Sequence, residues 1–300
     1  MSWSTTSDVL RFLAEAGGFL RARPVEHTTL LTEAAYLEAR PANPDQAFGW
    51  WRDAAGVVGG AFLRAPRHAP VLSPMPTEAV ESLPEVLGGA QAVEVEAGMA
   101  ETVAATWKRG RGVELAERSR ITLYRLEALV PHIVQGGRAR TAVPSDRETL
   151  LRWYQRMLEK YPEDPSESEY MVDDPIAFGG ITMWEVDGEP VAMAGRSRAV
   201  AGMVRLGAVH AVGDDESLAG AAFAQACRAA SEIAEHVLVF APTGDADAAR
   251  KYGALGFRPV LERVMLGVRA SSGDETPHPV ADDGPHDSRQ AQADLRHLTG

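Results

Sequence analysis

The chain has 300 residues, with 30 Lys and Arg against 42 Asp and Glu, a net charge of −12. That charge repels phosphate backbones and anionic lipid, so neither nucleic acid nor a membrane surface is an expected partner. A hydrophobic share of 45% with 24% charged residues excludes global disorder, and the single cysteine, Cys227, excludes an internal disulfide or a multi-cysteine metal site.

About 150 residues per domain predicts two domains. The opening stretch MSWSTTSDVLRFLAEAGG has no basic segment followed by an apolar one. Nor do about 18 uncharged apolar residues run together anywhere, so a cytoplasmic location is expected.

In chain order, WRDAAGVVGGAFLRA from Trp51 reads as a strand, a turn at Gly56 and a second strand closing on Arg64. The next helical stretch, SPMPTEAVESLPEV, carries prolines and no glycine. AVEVEAGMAETVAATWKRGRGVEL from Ala92 then reads as strand, loop, helix, Gly and strand. A turn at Gly136 and Gly137 precedes a strand over 139–143, and Ser145 or Asp146 caps a helix through Lys160 with Leu150, Leu151, Tyr154 and Leu158 on one face. After a Pro- and acid-rich loop comes a hairpin, ITMWEVDGEPVAMAGRSRAV, turned at Asp187 and Gly188. A strand over 203–212 follows, then a helix from Ser217 to about Glu235 whose apolar positions Ala219, Ala222, Phe223, Ala226, Ala230 and Ile233 recur at helical spacing. VLVFAP is a strand, Asp245 or Asp247 opens a helix ended by Gly256, and FRPVLERVMLGV closes the sheet.

Two of these stretches repeat. Gly56 and Arg64 fall opposite Gly188 and Arg196, an offset of 132 residues, and the stretch from Ala92 matches HVLVFAPTGDADAARKYGALGFRPV at an offset of 144. The domain model is therefore a trimmed first copy over 1–137 and a second copy over 138–269, two α+β units of mixed sheet flanked by helices. Residues 270–300 lack any aromatic and are rich in Pro, Gly and acids, which predicts a disordered tail. The irregular spacing of His278, His286 and His297 within it does not suggest a metal site.

The run Tyr252-Gly253-Ala254-Leu255-Gly256-Phe257-Arg258-Pro259-Val260 resembles the late helix and last strand of the Gcn5-related N-acetyltransferases, the GNAT family. The 188–198 hairpin, the strand over 203–212 and the small-residue helix after it are similar to the same family, especially to its tandem two-domain actinobacterial members. The resemblance implies two tandem GNAT-like domains. It also implies transfer of an acyl group, most simply acetyl from acetyl-CoA or another acyl-CoA, to an amine of a small molecule or peptide, with no metal. In the family a loop Gln/Arg-x-x-Gly-x-Gly/Ala opens the central helix, where free N–H groups bind the coenzyme pyrophosphate. The best register here puts Ser217 at the first position, Gly220 at the central Gly and Ala222 at the last, with Ala219 and Ala221 between. The carboxylates of Asp214, Asp215 and Glu216 stand in the same field and oppose a polyphosphate.

Tyr252 matches the tyrosine that protonates the departing thiolate, a nearly balanced transfer for a phenol of pKa about 10 and a thiol of about 8.5. The alternative is a tyrosine that only packs on the sheet. His210, with an unperturbed pKa of about 6.5, suits a base for the amine, directly or through water, or else is a structural residue. The family's backbone contacts to the acyl carbonyl and pantetheine would fall at Val209, Ala211 and Val212. Cys227 has no activating neighbour in the sequence and reads as a small buried hydrophobe. Lys108 stands at the place of Tyr252 in the first copy, which therefore reads as non-catalytic. Trp50, Trp51 and Trp107 read as core, with a ligand surface between the halves as the alternative; Glu185 and Arg196 fall on the second hairpin, where alternation leaves open whether either faces the cleft. The rival expectation is a GNAT-shaped protein that has lost acyl-CoA binding and serves as a ligand-binding or scaffold protein, or in coenzyme-independent chemistry.

Overall fold

A computed structural model describes residues 1–130, 136–159 and 169–269. The expected tail from Ala270, with its histidines, lies outside the described residues. The first copy runs β1 (Ser2–Thr6), α1 (Val9–Arg21), α2 (Thr28–Glu38), β2 (Ala47–Arg52), β3 (Val58–Arg64), β4 (Val71–Leu72), α3 (Thr77–Glu81), α4 (Leu83–Leu87), β5 (Ala92–Glu96), α5 (Ala100–Arg111) and β6 (Leu115–Leu126). The second runs β7 (Arg138–Thr141), α6 (Arg147–Glu159), α7 (Asp174–Phe178), β8 (Ile181–Val186), β9 (Glu189–Arg196), β10 (Met203–Ala211), α8 (Glu216–Ser231), β11 (His236–Pro242), α9 (Ala246–Leu255) and β12 (Phe257–Val268).

Local chemistry explains the boundaries. The Asp8 carboxylate accepts from the Leu10 and Arg11 amides and opens α1, whose Phe12, Ala16 and Leu20 recur every four residues and are buried. Asp187 and Gly188 both have positive φ, 52° and 85°, the conformation that a two-residue hairpin turn needs to match strand twist. Gly256 ends α9 at φ 97°, and a Cβ there would strike the Ala128 carbonyl, so only glycine fits.

The strands of the described residues form one 12-stranded sheet in the order β1-β2-β3-β4-β5-β12-β6-β11-β10-β9-β8-β7. The order is symmetric about the β12–β6 pair, with one exchange. β6, from the first copy, lies between β11 and β12, while β12 pairs antiparallel with both β6 and β5. The strand expected to close the second copy's sheet therefore runs through the middle of the joint sheet.

The core is shared accordingly. One apolar cluster joins Phe12, Leu30, Leu31 and Leu63 of the first copy to Met203, Leu238 and Phe240 of the second. Two buried ion pairs also cross the seam: Arg263 of β12 with Glu94 of β5, and Arg205 of β10 with Glu33 of α2 at 3.9 Å. No helix among the described residues is long and apolar enough to cross a membrane.

Candidate active site

The site is built on a strand that leaves its neighbour. β10 pairs in parallel with β11 only from Met203↔His236 to Leu206↔Val239. Its register against β9 then shifts between Gly207 and His210, where Ala208 takes a left-handed φ of 51°. Beyond this bulge β10 and β11 part, and a cleft of about 1180 Å³ opens between the end of β10, the start of α8 and the last turn of α9. Its wall brings together Val209, His210, Ala211, Ser217, Ala219, Gly220 and Tyr252. Val212 is exposed beside it, whereas Ala221 and Ala222 are 2% and 0% exposed and pack in the core from the inner face of α8.

Tyr252 sits in the final turn of α9, its ring against Tyr124 and Phe223 at 5.6 Å and Phe257 at 5.8 Å. Burial pushes its pKa well above the ordinary phenol value, so the hydroxyl carries its proton throughout the neutral range, and transfer of that proton to a thiolate is uphill rather than the nearly balanced one expected from the sequence. Tyr124 belongs to β6, so the strand exchange places a first-copy residue against the candidate acid. No local pattern in the sequence signals that contact. His210 is half-buried with its ring 5.3 Å from Trp153 of α6.

The start of α8 corrects the expected register. The helix opens at Glu216, so the amides from Ala219 onward, including those of Gly220, Ala221 and Ala222, belong to its internal ladder; the Ala219 N–H donates to the Asp215 carbonyl at 3.0 Å. The orphan amides are those just after Asp215, and the Asp215 carboxylate already accepts from Ser217 N at 2.9 Å and Leu218 N at 3.1 Å. Asp245 caps α9 in the same way on Asp247 N and Ala248 N. Among the described residues that line the cleft, Glu159, Asp214, Glu216, Asp245 and Asp247 stand with Arg156 and Lys251; Lys251 is bound to Glu216 at 2.8 Å, and Asp247 is paired with Arg250 at 2.7 Å. The pantetheine end of a coenzyme thus meets an open strand edge, but its pyrophosphate end meets amides already capped and a lining in which, among the described residues, carboxylates outnumber cations.

The remaining candidates are dispersed. Lys108 is exposed and paired with Glu114 at 2.6 Å, on the far side of the seam from the cleft. Trp50, Trp51 and Trp107 are buried in the core of the first copy. Glu185 is buried on β8 beneath Arg138 and Arg140, whose guanidinium groups hold its carboxyl below the usual range. Arg196 lines a second, smaller cavity. Cys227 is fully buried on the inner face of α8, which pushes its thiol up to about 12 and leaves it inert. Among the described residues no group of three His, Cys, Asp or Glu is placed to hold a metal ion.

Neither a family model nor a curated protein sequence matches the chain. Solved structures do. A GCN5-related N-acetyltransferase from Sphaerobacter thermophilus superposes with a TM-score of 0.57 at 14% identity, covering 88% of this chain and 94% of its own. The chain has the GNAT fold. A GNAT-family acetyltransferase from Colwellia psychrerythraea gives a TM-score of 0.55 at 9% identity, covering 89% of this chain and 99% of its own. A tandem GNAT protein from the clavulanic acid biosynthesis pathway gives 0.53 at 12% identity, covering 88% and 98%. All three cover 88% or 89% of this chain, and at these identities the likeness concerns the fold alone.

Proposed function

We propose that the protein is an N-acyltransferase that uses an acyl-CoA, acetyl-CoA in the simplest case, to acylate an amine of a small molecule or peptide in the second-copy cleft. The observation that carries this is the parting of β10 from β11 beyond the Ala208 bulge. It frees a strand edge over 207–211 within a cleft whose other wall bears a half-buried, protonated tyrosine. The coenzyme supplies an activated thioester when bound. Backbone groups of Val209 and Ala211 orient the acyl carbonyl, His210 or a water on it accepts the amine proton, and Tyr252 holds a proton at its hydroxyl for the sulfur. Phe223, Tyr124 and Phe257 keep the ring in place.

One observation favours a second reading. The Asp215 cap and the acidic cleft mouth describe a helix start that satisfies itself, as in a GNAT-shaped protein that has given up the coenzyme for ligand binding or other chemistry. Calorimetry with acetyl-CoA separates the two. The transferase reading expects weak binding by the wild type. It expects Asp214→Asn with Asp215→Asn to tighten binding by about two- to fivefold, the range of charge effects at a helix end, with the gain shrinking as salt rises. Absence of binding in both proteins at millimolar acetyl-CoA rejects the transferase reading and leaves the second.

A further inference from the structure

The β10 bulge has two sides. Val209, His210 and Ala211 face the cleft, whereas Gly207 and Ala208 belong to the wall of a second cavity of about 50 Å³. At roughly 10–15 Å³ per water, it holds a body of a few heavy atoms. Its lining is mainly apolar, with Met171, Phe178, Ile181 and Met193 from the second copy, while Thr32 and Tyr36 of α2 close it from the first.

Its charges do not balance. The lining holds Asp174, Arg196 and Arg198, and Asp174 is taken by Arg198 at 2.7 Å. Both guanidinium groups lie over the Phe178 ring, at 5.4 Å for Arg196 and 4.6 Å for Arg198. Arg196 is half-buried and donates only to backbone carbonyls, Ser197 O and Gly179 O, each at 3.2 Å. Among the described residues no carboxylate pairs with it. A guanidinium withdrawn from water without a counter-charge is costly, and its planar fork matches a carboxylate in two parallel hydrogen bonds. In a chain of net charge −12, with an acidic cleft next door, this cavity carries one positive charge that no described carboxylate compensates, on an apolar floor.

We infer that the acceptor is an amine that also bears a carboxylate on a short apolar body, an amino acid in the broad sense. Arg196 holds the carboxylate in this cavity, and the amino group reaches the cleft across the bulge at Ala208 and Val209. The fate of the amine rests on the transferase reading, whereas the carboxylate subsite does not. The inference also gives the first copy a task, since α2 supplies one wall of the cavity.

The test is binding without coenzyme. Calorimetry on the full chain compares linear amino acids from glycine to 6-aminohexanoate, and leucine, each beside the alkylamine that lacks the carboxylate. At least one amino acid is expected to bind about tenfold or more tightly than its alkylamine, as a charge-assisted fork requires. Arg196→Gln, which keeps donors for the Gly179 and Ser197 carbonyls but removes the charge, is expected to abolish that difference. Should this variant melt abnormally, Arg196→Lys takes its place and is expected to weaken the preference without erasing it. Equal affinities in the wild type, no binding of any probe, or a preference unchanged in the variants overturns the inference. Failure of the transferase reading looks different: carboxylate preference intact, with neither binding nor turnover of acetyl-CoA.

Discussion

The two copies share a plan but differ where a cleft would form. In the second, β10 is nine residues long, carries the bulge and hands over to a 16-residue helix of small side chains. In the first, β4 is two residues long, and the helix that follows is broken into two five-residue pieces with Pro76 before one and Pro84 within the other. A short strand has no length over which to part from its neighbour, and proline both removes an amide and interrupts the ladder behind it. The first copy keeps what the joint fold needs: a hydrophobic face, the exchanged strand β6 and the α2 wall. The fold thus accommodates a copy without a cleft, while both copies contribute to the seam.

The largest expected effect breaks the comparison at that seam. Residues 138–269 alone lack β6, which leaves β11 and β12 without the strand that lies between them and exposes the apolar cluster shared with α1 and α2. That fragment is expected to aggregate or to melt without a cooperative transition. Residues 113–269, which restore β6, are expected to be more soluble on size-exclusion chromatography. A soluble, cooperatively melting 138–269 fragment would show that the second copy is a self-sufficient domain after all.

Next comes the chemistry. On the transferase reading Tyr252→Phe lowers kcat by about 10²-fold with little change in the acetyl-CoA Kd, the usual range for loss of a positioned acid. The corresponding change in the first copy, Lys108→Ala, leaves steady-state rates unaltered, because that side chain sits in solvent against Glu114. Equal rates for Tyr252→Phe and wild type would reduce the ring to a packing residue.

Much of this architecture was legible. The Asp187-Gly188 and Gly256 signals name backbone conformations that few other residues adopt, and the periodic alanines of α8 mark a helix laid close on a sheet. The repeat offsets of 132 and 144 residues locate matching elements because each turn glycine is fixed by geometry. What could not be read is pairing across long separations. Nothing local to Leu115–Leu126 says that this strand inserts between β11 and β12, so Tyr124 beside Tyr252 was invisible. The helix start was displaced for a related reason. Gly213 at φ 68° and Asp214 at φ 54° make a tight turn that lets Asp215 cap the helix, whereas residue spacing alone favoured Ser217.

A smaller effect distinguishes the copies by pH. His27, at the corner between α1 and α2, is fully buried, with its Nδ1 2.9 Å from the Leu20 carbonyl; burial lowers its pKa from 6.5 to about 4. The unfolded chain binds this proton more readily than the folded one, so stability is full above pH 6.5 and declines as pH falls towards 4. By pH 5 the loss amounts to about 2 kcal/mol. His27→Asn, which keeps a donor for the Leu20 carbonyl, is expected to flatten that part of the urea-unfolding profile between pH 7 and pH 5. An unchanged profile would assign the acid sensitivity to other groups.

The smallest effect probes the helix start that sets the two readings of the cleft apart. Asp215→Ala removes the acceptor for the Ser217 and Leu218 amides, and loss of such a cap costs about 1 kcal/mol. Asp215→Asn keeps an oxygen in the same place, so its cost should be much smaller, a few tenths of a kcal/mol from the lost interaction with the helix end. The informative quantity is the sign of the accompanying change in acetyl-CoA affinity. If the two amides are shared ground between cap and pyrophosphate, the less stable Asp215→Ala protein binds acetyl-CoA more tightly than the wild type, because the coenzyme now satisfies donors that the fold has left open. If the cap is purely structural, Asp215→Ala loses stability and gains no affinity. Chemical denaturation with and without acetyl-CoA reads both effects in one experiment, and a destabilised variant that the coenzyme does not restore would count against a phosphate site at α8.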